Sequence, residues 1–279
     1  MIPAPTNNYT DYRDCLREAV AQQPEEWTFK SDPRYQRVLE HVDHYQGVRF
    51  IVQIKQEYAA YWSRALSILP AIVEENDRYG KPITDTFQEI GLTCSPSNLR
   101  YLSQALRLWT HALEMGMERM HVVELGGGYG GLALYVHRLA SLFPSVELAW
   151  YTIVDLPEAA DIQEMVFAEW GVPAMTVNGL DEVALEWCLD HADETQAPRF
   201  LFSAYAFSEF DEETRDYYAE RVAKHCEHGV LIWNFTNGPH EKLAERPVGG
   251  PVYQFINKPL RTNLDQPAMY PEPIQLVRF

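Results

Sequence analysis

Hydrophobic positions along the chain fall into two regimes. Up to residue 116 they recur every three to four residues, the spacing of one helix face. Tyr35, Val38, Leu39, Val42 and Tyr45 predict a helix over 34–46 that ends at Gly47. Val48 to Val52 reads as a short β-rich run, and 55–79 returns to helical spacing, broken at Pro70 and stopped by Gly80. The clearest helix is 96–115. Ser95 is placed to cap it, Pro96 suits its first turn, and Leu99, Leu102, Leu106, Trp109 and Leu113 form a stripe before Gly116. That stripe needs an apolar surface to cover, and the second half of the chain is the obvious one.

From residue 119 short apolar runs alternate with helical segments. Strands are expected at 120–125, 147–154, 173–177, 199–204, 229–235, 252–256 and 274–279, and helices at 130–143, 158–170, 181–191 and 212–225. Such alternation with short connections predicts an α/β fold, a mostly parallel Rossmann-like sheet with helices on both faces. A mainly helical extension or lid, 1–116, is expected to precede a sheet domain, 117–279. In sheets of this kind ligands sit outside the carboxyl ends of the strands, near the switch in strand order. Residues just after the strands are therefore the candidates for chemistry.

Charge narrows the partners. The 279 residues carry 23 Lys and Arg against 40 Asp and Glu, a net charge of −17. Residues 1–116 hold 12 basic and 15 acidic side chains (−3), and residues 117–279 hold 11 and 25 (−14). The acidic half would repel a polyphosphate, and no Lys/Arg cluster suggests a groove for one, so nucleic acid is not an expected partner. No apolar stretch approaches the roughly 18 residues of a membrane span, and the first residues lack the pattern of a secretory signal. The expected location is cytoplasmic. Cys15, Cys94, Cys188 and Cys226 are widely separated, which argues against a disulfide framework or a zinc site. His41-Val42-Asp43-His44 is the one tight His/Asp group, read as a solvated helix face, so no metal is expected.

The most informative segment follows the first strand of the second half: Glu124-Leu125-Gly126-Gly127-Gly128-Tyr129-Gly130-Gly131. Glycines permit a tight turn and let a ligand approach backbone N–H groups at a helix N-terminus. Gly126-x-Gly128-x-x-Gly131 matches the dinucleotide fingerprint. Glu124-x-Gly126-x-Gly128-x-Gly130 matches the acidic-glycine loop of S-adenosylmethionine enzymes. Asp155, at the tip of the next strand, can accept both hydroxyls of a ribose and suits either cofactor. Glu124 would lie against a pyrophosphate, but it suits a ligand carrying an ammonium and a sulfonium group.

The glycine loop, the Val154-Asp155-Leu156-Pro157 turn and the later Ser203-Ala204-Tyr205-Ala206-Phe207-Ser208-Glu209 resemble the sugar O-methyltransferase family, over roughly residues 95–240. These are class I S-adenosylmethionine-dependent methyltransferases with a helical N-terminal extension. The resemblance implies S-adenosylmethionine as cofactor, with contacts at Glu124, Gly126, Gly128, Gly130 and Asp155. Gly127, Tyr129, Leu156 and Ser203 are counted with them. Ser97-Asn98-Leu99-Arg100-Tyr101 also looks family-like, which brings Arg100 and Tyr101 toward cofactor or substrate. The implied acceptor is a hydroxyl of a sugar or other small polar metabolite; a homodimer is left open.

A hydroxyl nucleophile benefits from a general base, worth about 10²–10⁴-fold. Glu209 and Tyr205 follow the fourth strand, and Glu209 also fits the acidic first turn of the next helix. His240 follows the fifth in a Gly-Pro loop, where an imidazole suits proton abstraction near neutral pH. The Asp/Asn-Pro-Pro-Tyr signature of amino methyltransferases is absent, as is the aspartate of metal-dependent catechol-type enzymes. Tyr58, Tyr61, Trp62, Tyr101 and Trp109 are aromatics suited to stacking on a sugar or to core packing. Two other readings stay open: a nicotinamide-dependent oxidoreductase using the dinucleotide pattern, and a non-catalytic relative that keeps the fold for binding.

Overall fold

The computed structural model describes residues 9–233, 261–264 and 275–279. The N-terminal part is helical: α1 (Thr10–Val20), α2 (Pro33–Gln36), α3 (His44–Glu57) and α4 (Ala59–Asp77). A small hairpin, β1 (Asp85–Phe87) and β2 (Leu92–Cys94), then leads to α5 (Ser97–Glu114). Alternation follows: β3 (Arg119–Leu125), α6 (Gly131–Leu139), β4 (Glu147–Asp155), α7 (Pro157–Trp170), β5 (Met175–Asn178), α8 (Glu182–Thr195) and β6 (Arg199–Ala204). The short α9 (Ala206–Glu209), α10 (Glu212–Arg221), β7 (His228–Trp233), β8 (Arg261–Leu264) and β9 (Gln275–Arg278) complete it.

The main sheet runs β5-β4-β3-β6-β7-β9-β8. Its first five strands are parallel, and β9 lies antiparallel to β7 and to β8. The strand order reverses between β3 and β6, which places the ends of those two strands side by side. Residues of β3 alternate between faces as a pleated strand requires. Met120 and Val122 join the core shared with the N-terminal helices, while Val123 and Leu125 join the core on the other face with Leu201, Phe207 and Leu231. The first core is continuous from Tyr12 and Leu16 of α1 to Phe200 and Phe202 of β6.

Helix α5 fills the space between the sheet and the N-terminal helices. Leu99, Leu102, Leu106 and Trp109 are fully buried, and Leu113 at the end of the stripe is 38% exposed. Trp109 donates from Nε1 to the Val136 carbonyl at 3.1 Å and stacks on Phe143.

Several sequence expectations need correction. The helix predicted over 34–46 is two pieces. It stops after Gln36, and the Leu39 carbonyl instead accepts from Arg100 Nη2 at 2.7 Å. Helix α3 starts at His44 behind a capping box, with Asp43 Oδ1 accepting from Gln46 N–H and Gln46 Oε1 accepting from Asp43 N–H. Val48 to Val52 is helical. The few tenths of a kcal/mol that β-branched residues cost a helix are outweighed by burying Phe50, Ile51 and Ile54, each worth about 1.5–3 kcal/mol. Gly47 does not end a helix; a Cβ there would stand 2.6 Å from the Phe87 ring. Pro70 lies inside α4 without ending it. The strand expected at 252–256 lies outside the described residues.

Candidate functional site

The loop after β3 is built on positive φ angles. Gly126 has φ +76° and Gly128 φ +61°, conformations that side-chain-bearing residues rarely adopt. The space is closed as well. A Cβ on Gly126 would meet the Ala206 Cβ at 2.3 Å, and one on Gly128 would meet Leu39 Cδ1 at 2.5 Å. The turn is pinned by Gly130 N–H donating to the Gly127 carbonyl at 3.0 Å, and α6 starts at the next residue.

Two acids flank this loop. Asp155, partly exposed at the end of β4, accepts at Oδ2 from Gly128 N–H (2.9 Å) and at Oδ1 from Leu156 N–H (2.8 Å). Burial pushes its carboxyl up to about 6, against the pull of these hydrogen bonds. With one backbone donor on Oδ1, the carboxylate keeps acceptor capacity for a ligand hydroxyl. Glu124 is 2% exposed at the end of β3 and accepts from the Tyr151 hydroxyl at 2.7 Å. Burial first, then the nearby Asp155, pushes it up to about 8. Burial thus favours its protonated form, and a cation close by would favour the carboxylate. The pair therefore fits a ligand with vicinal hydroxyls and a positive charge.

The end of β6 forms the facing wall. Ser203 is consumed structurally: its Oγ donates to the Leu125 carbonyl at 2.8 Å and accepts from Phe207 N–H at 3.1 Å. Tyr205 has φ +73° and ψ −41°, a strained conformation of a kind found at functional turns. Its N–H donates to the Ile232 carbonyl at 2.9 Å. Glu209, at the end of α9, accepts from the Tyr9 hydroxyl at 3.2 Å.

Tyr9 and α1 cross from one wall to the other. Helix α1 packs along α7, where Arg13 donates to Glu158 through Nε and Nη2 at 2.9 Å each, and Arg17 Nη2 donates to Glu158 Oε1 at 2.5 Å. Glu158 is 6% exposed, and the two guanidinium groups hold its carboxyl below the usual range against its burial. Tyr12 of α1 stacks on Tyr35 at 5.5 Å, and Leu39 covers Gly128.

The structure thus gathers Glu124, Gly126, Gly127, Gly128, Gly130, Asp155, Leu156, Tyr205 and Glu209 at the carboxyl end of the sheet. It directs five other candidate side chains elsewhere. Tyr129 is fully buried and its hydroxyl donates to Asn76 Oδ1 at 2.8 Å, with the Lys30 ammonium 4.1 Å from its ring. Tyr101 is buried edge-on to Tyr129, so both rings serve the core. Ser203 is the third, and Trp109 is core rather than a stacking platform. Arg100 is buried rather than solvated and fastens the Leu39 segment. His240 lies outside the described residues. His41 and His44 are not on one helix face, since α3 begins at His44 and that ring stacks on Phe87 at 5.0 Å. Among the described residues, no three His, Cys, Asp or Glu side chains are grouped to hold a metal ion.

Sequence reading missed Tyr9, Arg13, Leu39, Glu158 and Gln163. The signal for two of them was present. Glu158 and Gln163 are polar residues set among Ala159, Ile162, Val166 and Phe167 on the buried side of α7.

The strand order with its antiparallel β9, the glycine loop on the central strand and the acid on its neighbour define a Rossmann-like α/β fold. No protein-family model and no curated protein matches the chain. Solved structures do. A S-adenosylmethionine-dependent methyltransferase from Clostridium acetobutylicum is 14% identical, over 48% of this chain and 50% of that one, with a TM-score of 0.35. The bifunctional kinase-methyltransferase WbdD is 13% identical, over 64% and 39%, with a TM-score of 0.40. The plantazolicin methyltransferase BpumL, in complex with SAH, is 13% identical, over 57% and 55%, with a TM-score of 0.34. The chain spans about half of the first and third of these proteins and less of the second. No described helix is long and apolar enough to cross a membrane.

Proposed function

We propose that this chain is a S-adenosylmethionine-dependent methyltransferase acting on a hydroxyl of a sugar or other small polar metabolite. The observation that carries the reading is the glycine loop held between two acids, Glu124 and Asp155, at the reversal of strand order. The Gly126–Gly130 backbone would hold the amino-acid part of the cofactor, Asp155 the ribose hydroxyls, and Glu124 would answer its positive charge. When bound, the cofactor supplies an electrophilic methyl carbon. The sheet argues against the dinucleotide alternative, because the antiparallel β9 stands beside β7 where the dinucleotide fold carries a sixth parallel strand.

Charge falls as an alcohol attacks a sulfonium, so gripping the sulfonium tightly would favour the ground state. Alignment is the larger device, worth up to about 7–11 kcal/mol in ideal cases. The helical part, 1–116, acts here as a lid. Tyr9 and α1 bridge the walls at Glu209 and Glu158 beside the loop. We assign the acceptor's proton to His240 or Glu209, with Tyr205 orienting the acceptor.

The test is methyl transfer from labelled S-adenosylmethionine to a panel of sugars and glycosides. Label on a hydroxyl, reduced about 10²-fold or more by His240→Ala or Glu209→Gln with cofactor affinity intact, supports the reading. Label carried only by amine acceptors overturns the hydroxyl assignment.

A further inference from the structure

Helix α7 carries one fully buried amide, Gln163, whose two N–H groups both point at the site. Nε2 donates to the Gly128 carbonyl at 2.7 Å and to Asp155 Oδ2 at 3.1 Å. Gly128 N–H donates to the same Oδ2 at 2.9 Å, so loop, acid and amide close a three-membered clasp. The other end of the amide has nothing: Oε1 is buried without a hydrogen-bond partner. Its orientation is fixed all the same, because turning the amide over would set Oε1 against two acceptor oxygens. A buried unmade hydrogen bond destabilises the fold, and an apolar side chain of similar shape would avoid that cost. The cost goes with placing two donors on the groups that face the ligand.

We propose that Gln163 is a positioning residue for cofactor binding, holding the Asp155 carboxylate and the Gly128 peptide in the arrangement that receives the ribose. This rests on the methyltransferase reading. Gln163 acts through Asp155, and no contact of its own with the cofactor is required.

The experiment is calorimetric titration of S-adenosylhomocysteine into the wild type, Q163M, D155A and Q163M/D155A, with Tm measured for each. Q163M keeps length and bulk and removes both the donors and the orphaned oxygen. The expected result is S-adenosylhomocysteine binding weakened about tenfold, with Tm unchanged or higher. The double variant should bind within about twofold of D155A alone, since the two residues act as one unit. Q163E, which sets a second carboxylate against Asp155, should bind more weakly than Q163M. Affinity of Q163M within about twofold of wild type, effects of Q163M and D155A that multiply, or a drop in Tm that tracks the loss of affinity would each overturn the positioning role while leaving the enzyme reading standing. A wild type that does not bind S-adenosylhomocysteine overturns both.

Discussion

Gly128 and Asp155 are joined by a 2.9 Å hydrogen bond from the loop's backbone N–H to Oδ2 of an acid on the neighbouring strand. One residue comes from the turn after β3 and the other from the tip of β4, so the bond fixes the loop against the strand where a ligand would lie. Glu124 stands behind it at the end of β3, facing Tyr151 and Asp155. The loop thus has an ionisable acid on each side, one reachable from solvent and one buried.

The buried acid makes stability depend on pH. Glu124 is held at about 8 in the folded chain against an ordinary value of 4.5. Between those values the folded state keeps a proton that the unfolded state has released. Its contribution is therefore full below 4.5 and is lost as pH rises toward 8. Glu124→Gln keeps the shape without the charge. It should gain on the wild type from about pH 5 to about pH 8 by on the order of a few kcal/mol. Urea unfolding at both pH values measures this, and a wild-type-to-variant difference that does not change with pH contradicts it.

Glu158 ties α1 to α7 through Arg13 and Arg17. The guanidinium groups are partly exposed, so screening limits what the pairs contribute. Glu158→Ala should cost about 1–3 kcal/mol. It should also speed amide exchange across residues 10–20 and raise the rate of S-adenosylhomocysteine association. Unchanged protection of α1 would show that the apolar contacts of Tyr12 and Leu16 hold the helix without the ion pairs.

Tyr205 occupies a backbone conformation that costs about 1–3 kcal/mol. Tyr205→Gly should raise the unfolding free energy by up to about 1 kcal/mol while lowering methyl transfer. Tyr205→Phe, which leaves the backbone alone, separates the hydroxyl from the strain. Denaturation midpoints and turnover together decide the matter. A glycine variant that is less stable and fully active would mean the turn serves the fold alone.

How far the sequence could be read depended on the distance over which its signals act. The sheet and the glycine loop were legible because β3, the loop and α6 form one local unit, with apolar runs ended by residues that need positive φ. Helix α3 was misread. Gly47 and the β-branched run looked like a break and a strand, whereas the Asp43–Gln46 capping box and the spacing of Phe50, Ile51 and Ile54 carried the stronger signal. The glycine there answers to Phe87 across the hairpin, a contact no local window contains. The same holds at the site. Asp155 announced itself at a strand tip, but Leu39 over Gly128, Tyr9 on Glu209 and Arg13 on Glu158 join residues far apart in the chain. Tyr129 shows the reverse case: its position in the motif suggested a ligand contact, and the core claimed its side chain.

The central claim is that the loop between Glu124 and Asp155 binds S-adenosylmethionine rather than a dinucleotide. Calorimetric titration of the purified chain with S-adenosylhomocysteine and, under identical conditions, with NADH tests it most directly. Micromolar binding of S-adenosylhomocysteine, weakened in Asp155→Ala without loss of fold, and no heat from NADH are the expected results. Binding of NADH alone would contradict the claim and hand the glycine loop to the dinucleotide reading.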